Sequence, residues 1–266
     1  MGLAYPPLTP PMTPDITERT VQKVLSCSRL TVSHFAELPG HLHQICLIHL
    51  SNGTKIIFKT SPRQTLCLLR TEQTYLETEA TVLQLLARTS IPTPRMLRYE
   101  RPKHHEQESP FILMTQLPGV PYSDVKDQLH RNDWLVIEGR LKQIRSAISQ
   151  HSSYTYGPAG LVNAGEGFRT WREAFTAMLE SILMDGEDML VNLPYHSIRE
   201  AISRWELYLD DVVEARLILP GLNDPRNVLV DRKTNEVVGV LDFGRAIWGD
   251  LAMNADMQLG GIKNLL

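Results

Sequence analysis

The chain has 266 residues, 42% hydrophobic and 21% charged, with a formal net charge of −3 at pH 7. Those values fit an ordinary globule with one large or two modest cores, and they exclude a disordered chain. They also give no basic footprint for nucleic acid or for an anionic membrane, so neither partner is expected.

No apolar run reaches the ~20 residues that a spanning helix needs, and the N-terminus lacks a basic-then-apolar signal pattern. Gly2 is followed at position 6 by proline rather than Ser or Thr, so the myristoylation pattern fails. Cys27, Cys46 and Cys67 have neither CxxC spacing nor a matching His pattern. A sparse, odd set of this kind reads as reduced thiols in a cytoplasmic protein.

The opening MGLAYPPLTPPMTP is proline-dense and predicts an extended arm over residues 1–14. Asp15 then caps a predicted helix over Ile16 to Ser26. Leu30 to Ser61 reads as a three-stranded meander, with Asn52-Gly53 as a two-residue hairpin turn between its last two strands. A helix follows from about Thr71 to Arg88, with Leu76, Ala80, Leu83 and Ala87 at helical spacing. Ile91-Pro92-Thr93-Pro94 ends it. Two more strands, Met96 to Glu100 and Phe111 to Gln116, complete a small lobe ending near residue 120, and the polar stretch from Arg101 to Ser109 turns between them. Period-3.6 patterns over Asp133 to His151, Thr170 to Asp185 and Leu193 to Asp211 predict a helical lobe beyond, over residues 121–266. A Gly-rich loop, Gly157 to Gly167, separates the first two of these helices. The helical block is interrupted by a strand-loop-strand unit, LILPGLNDPRNVLVDRKTNEVVGVLDFGRAIWGD, from Leu217 to Asp250. The expected class is therefore α+β and bilobal, a small antiparallel sheet followed by a mainly helical lobe.

Four side chains stand out chemically. Lys59 ends the strand KIIFK, where an ammonium can clamp phosphate oxygens or simply reach water. Glu79 shares a helix face with Tyr75, Leu76, Val82 and Leu83, whereas Glu77 neighbours Gln73, Thr74, Ala80 and Thr81, a mostly polar face. An inward carboxylate needs a cation, and Lys59 is the obvious candidate. Asn227 opens the strand Val228-Leu229-Val230, and Asp242 follows its hairpin partner directly, with the turn at Thr234-Asn235. An amide and a carboxylate at the same end of a hairpin suit Mg²⁺, which takes hard oxygen ligands; the same residue types also cap strand ends. The loop Pro39 to His43 joins two strands as a phosphate-covering hairpin would, but it has a single glycine and lacks GxGxxG.

KIIFK, ETEATVLQLL, IPTPRML, FILMTQLPGVP, NVLVD and VVGVLDFGRAIWGD together, in this order within residues 30–257, resemble the aminoglycoside phosphotransferase and choline-kinase-like family. The resemblance implies a protein-kinase-like fold that binds ATP with Mg²⁺ and carries phosphate to a hydroxyl of a small molecule. Carried over by position, Lys59 would hold the phosphates and Glu79 would orient it. Thr115, Gln116 and Leu117 would form the hinge for adenine, and Asn227 and Asp242 would ligate Mg²⁺.

One departure is equally specific. Where the family's loop reads His-Gly-Asp ahead of the Asn, this chain has Pro220, Gly221 and Leu222. Leucine can neither accept a proton nor orient a hydroxyl. Asp224, two residues on, is the carboxylate left to face an acceptor. A short stretch follows Asp250, so an acceptor pocket there would be open, completed by a partner subunit in a homo-oligomer, or lost. Three readings follow: a phosphotransferase with an altered loop, a pseudokinase-like binding or regulatory module, or a cleft turned to non-phosphoryl chemistry on a metabolite.

Overall fold

The computed structural model describes residues 14–24, 29–40, 42–61, 68–101 and 109–253. The proline-dense arm, Cys27, His41, Cys67, most of the 101–109 turn and the chain beyond 253 lie outside them, as does the side chain of Asp15. The chain divides into two compact units, residues 1–67 with 94–117, and residues 68–93 with 118–266. No helix among the described residues is long and apolar enough to cross a membrane.

The first unit is one antiparallel sheet with a helix, α1 (Pro14–Val24), packed on it. Its strands are β1 (Val32–Leu38), β2 (Gln44–Leu50), β3 (Lys55–Thr60), β4 (Met96–Glu100) and β5 (Phe111–Thr115), in spatial order β1-β2-β3-β5-β4. In β2 the residues at alternate positions, Gln44, Cys46, Ile48 and Leu50, are buried, the period of a strand with one covered face. Ile48, Leu50, Ile56, Phe58, Phe111 and Leu113 form the core with Val21 of α1, and Phe58 stacks on Phe111 at 4.9 Å. Glu18 ties α1 to the sheet by accepting from the Val32 amide at 2.7 Å.

The β2–β3 turn differs from its sequence reading. It spans residues 51–54 rather than two residues, and within it the Asn52 side chain accepts from the Thr54 amide at 3.0 Å.

The second unit holds the helices α2 (Tyr75–Leu86), α3 (Arg131–Ile148), α4 (Ala159–Asn163), α5 (Trp171–Asp188) and α6 (Tyr195–Trp205). Short strands complete it: β6 (Val120–Pro121), β7 (Ser152–Ser153), β8 (Gly157–Pro158), β9 (Ala215–Ile218), β10 (Val228–Val230), β11 (Val237–Val240) and β12 (Ile247–Gly249). Thr170 and Glu173 make a reciprocal capping box that starts α5. Ahead of α2, the Arg70 amide donates to Asp185 of α5 at 3.0 Å, and its guanidinium pairs with Asp185 and Asp188.

Two features had no clear signal in the sequence. The four-stranded sheet β7-β9-β12-β8 is built from strands of two to four residues, too short for a visible alternation. The Gly-rich stretch after residue 157 is not all loop, since it begins with β8 and contains α4. Chain order suggests grouping α2 with the strands; its packing places it in the second unit, where Thr78 accepts a hydrogen bond from the Gly160 amide of α4.

Candidate active site

β9 delivers the chain into two consecutive 3₁₀ turns, Pro220–Asn223 and Pro225–Asn227, before β10 begins. Their amides each close on the carbonyl three residues back: Leu222 on Leu219 at 3.1 Å, Asp224 on Gly221 at 3.1 Å, and Asn227 on Asp224 at 3.0 Å. The loop is thus held by its own backbone.

Asn227 is fixed at two atoms. Its side-chain Nδ2 donates to the Gly221 carbonyl at 3.0 Å, and its own carbonyl accepts from the Leu241 amide at 2.8 Å. With Nδ2 committed, Oδ1 is the atom the amide offers to a ligand. Asp242 sits just beyond β11 with φ of +60°, a left-handed conformation that non-glycine residues seldom adopt. A Cβ on Gly221 would lie 2.8 Å from the Asp242 carbonyl oxygen and 3.4 Å from Asn227 Nδ2. The missing side chain at 221 is what lets its backbone pass this close to both residues.

The donor set fits Mg²⁺ bound with nucleotide. An amide oxygen and a carboxylate are hard ligands that leave the remaining positions to phosphate oxygens and water. Among the described residues no group of three or more His, Cys, Asp and Glu could hold an ion by protein ligands alone.

The acceptor side of the loop is different. Leu222 is only 2% exposed, an anchor of the turn that packs into the protein. Asp224 caps the second turn, its Oδ1 accepting from the Arg226 amide at 2.9 Å. Both its oxygens also accept from the Arg226 guanidinium, at 3.0 Å from Nε, and this carboxylate raises the arginine pKa. The carboxylate that the sequence offers as acceptor-facing is therefore engaged as a cap and an ion-pair partner. Asp followed by Pro225 is a helix-start signal, a cap with proline at the first helical position, and it foretells that engagement.

Of the other candidates, Glu79 is 2% exposed on α2 while Glu77 is half-buried, as the helical spacing requires. Lys59 is 5% exposed near the end of β3. At the end of β5 the Thr115 amide donates to the Arg95 carbonyl at 3.0 Å, and Thr115 Oγ1 accepts from the Arg95 amide at 2.9 Å. The Gln116 amide reaches the Lys55 carbonyl over 3.4 Å. Sequence reasoning overlooked Gly221, whose role lies in a backbone approach that no spacing rule encodes.

A model of the phosphotransferase enzyme family matches residues 40–254 of the chain. No curated protein matches it. Among solved structures, the aminoglycoside phosphotransferase APH(4)-Ia is similar at 17% identity over 90% of this chain and 74% of that one, with a TM-score of 0.59. A thermostable mutant of that enzyme, in ternary complex with ADP and hygromycin B, is similar at 16% identity over 93% and 82%, TM-score 0.59. The gentamicin complex of APH(2″)-IIa is similar at 14% identity over 91% and 73%, TM-score 0.56. At these identities the structures establish a shared fold, the α+β kinase-like architecture of aminoglycoside phosphotransferases. With most of its length matched by the family model, the chain belongs to the phosphotransferase enzyme family.

Proposed function

We propose that this protein binds ATP with Mg²⁺ and serves as a pseudokinase-like binding or regulatory module in the cytoplasm, with phosphoryl transfer to a small-molecule hydroxyl largely disabled. The observation that carries the reading is the buried Leu222 at the catalytic position, beside an Asp224 already engaged by Arg226. A general base must reach the proton it takes and be able to hold it; a buried leucine does neither.

On the nucleotide side, Lys59 is assigned to the phosphates and Glu79 to orienting its ammonium. Each of the two is buried within its own unit, where a charged group persists only when it is compensated. Asn227 Oδ1 and the Asp242 carboxylate are assigned to Mg²⁺, which when bound would neutralise charge on the phosphates and hold them in place. With the Thr115 amide engaged by the Arg95 carbonyl and the Gln116 amide by the Lys55 carbonyl, the hinge's amide donor to adenine falls to Leu117. The complexes of structural neighbours with ADP, hygromycin B and gentamicin support a nucleotide and a small hydroxylated molecule as ligands.

A second reading keeps Asp224 as the acceptor-facing carboxylate, and its 30% side-chain exposure favours it. One experiment separates the two. Mg-ATP at millimolar concentration should raise the melting temperature by several degrees, since a ligand selective for the folded state stabilises it. In the same samples, γ-phosphate transfer to aminoglycoside, choline and sugar acceptors should stay at background. Turnover that Asp224→Asn abolishes would establish the second reading instead.

A further inference from the structure

We propose that Tyr75 and Thr78 of α2 are positioning residues that set the geometry of Asp242, Tyr75 through its ring against Arg245 and Thr78 through its hydroxyl on the Gly160 amide. The inference rests on Asp242 being the metal ligand. Asp242 holds a left-handed backbone, and for a non-glycine residue such a conformation persists only where the surroundings over-determine it. The β11 hairpin fixes one side of it through the Leu241 amide. The turn that follows, residues 243–246, fixes the other.

That turn is seated on α2. A Cβ on Gly244 would lie 3.0 Å from Tyr75 Cβ and 3.2 Å from the Tyr75 carbonyl oxygen, a closer approach than most side chains make. Arg245 adds a cation–π contact, its guanidinium 5.9 Å from the centre of the Tyr75 ring.

A second link runs through α4. The Ala246 amide donates to the Phe243 carbonyl at 3.0 Å, and the Ala246 carbonyl accepts from the Ala159 amide at 2.9 Å. Gly160, the next residue, donates its amide to Thr78 Oγ1 at 3.2 Å, and a Cβ there would lie 2.7 Å from the same oxygen. Thr78 is fully buried.

The links form a closed circuit from α2 to the 243–246 turn, to α4 and back to α2. Tyr75, Thr78 and Glu79 lie within one helical turn of each other, at the i, i+3 and i+4 positions of one face. The circuit therefore holds the Glu79 helix and the Asp242 turn in one fixed relation inside the second unit, before any ligand arrives.

The test compares wild type with Thr78→Val, Thr78→Ser, Tyr75→Ala and Tyr75→Phe. AMP-PNP is titrated calorimetrically with Mg²⁺ and again with EDTA, and amide exchange is followed over 159–160 and 242–246. Thr78→Val and Tyr75→Ala should weaken Mg·AMP-PNP at least about tenfold while shifting metal-free nucleotide less than about twofold. Exchange at 242–246 should accelerate in both, and Thr78→Ser and Tyr75→Phe should match wild type in every readout. Equal losses with and without Mg²⁺, or unchanged affinity despite a lower melting temperature, would overturn the proposal. If wild type binds no nucleotide, the metal-ligand reading fails, and exchange decides the positioning claim alone: wild-type protection at 242–246 in Thr78→Val and Tyr75→Ala would overturn it.

Discussion

Replacing Leu222 by aspartate restores the residue type that the family pattern has at this position, yet the structure predicts damage rather than rescue. Leu222 is 2% exposed, so truncation to alanine should cost about 2–5 kcal/mol, the range for buried leucines. An aspartate at the same place loses that packing and also buries an unpaired carboxylate, which adds a desolvation penalty of roughly several kcal/mol unless the group takes up a proton. Against a total stability of about 5–15 kcal/mol, Leu222→Asp should be the worse of the two variants and close to unfolding. Urea denaturation of wild type, Leu222→Ala and Leu222→Asp measures this directly. Burial raises the folded-state pKa of the new carboxyl, so its penalty is fullest at neutral pH and shrinks as pH falls towards about 5. A Leu222→Asp variant within about 1 kcal/mol of wild type, with no pH dependence of the difference, would instead place residue 222 on an open cleft.

Gly221→Ala should lower both stability and Mg·nucleotide affinity, because its Cβ would be forced to within 2.8 Å of the Asp242 carbonyl oxygen. The expected overpacking cost is about 1–3 kcal/mol by denaturation, with binding lost at least about tenfold by calorimetry. Arg226→Ala releases the Asp224 side chain from its ion pair. If the Asp224 carboxylate is only a cap, transfer assays should still show background turnover, with little change in the denaturation midpoint because the pair is solvent-exposed. The β10–β11 turn supplies a pH test. Amides of Lys233 and Thr234 donate to Asp231, at 2.7 and 3.0 Å from Oδ1, and hold its pKa below the ordinary 3.8. A depressed folded pKa gives stability that is full above 3.8 and fades as pH falls through the folded value. The acid limb of the stability curve should therefore be shallower in Asp231→Asn than in wild type.

The sequence conveyed the strands and helices that carry strong periodicity and left the backbone approaches unread. The inward face of Glu79 could be worked out from helical spacing, since Val82 and Leu83 on the same stripe are buried with it. The β10–β11 hairpin was legible from two apolar runs around Thr234-Asn235, and Asn235 indeed has φ of +57°. The strands β7, β8 and β12 were not, because two or three residues cannot display a period. Leu222 stood out as a departure in the motif, but only the fold shows that it is packed inward instead of lining a site. Gly221, Gly160 and Gly244 carry no side-chain signal at all; their importance is in what a methyl group would strike.

Asn227 and Asp242 are proposed to form a Mg²⁺·nucleotide site in a chain whose catalytic position is leucine. Calorimetric titration of Mg·AMP-PNP into wild type and Asp242→Asn tests it most directly. Wild type should bind, with affinity that falls when EDTA removes the metal, and Asp242→Asn should lose that metal-dependent part while still binding free nucleotide. No binding by wild type at millimolar nucleotide, or Mg²⁺-dependent binding unchanged in Asp242→Asn, would contradict it.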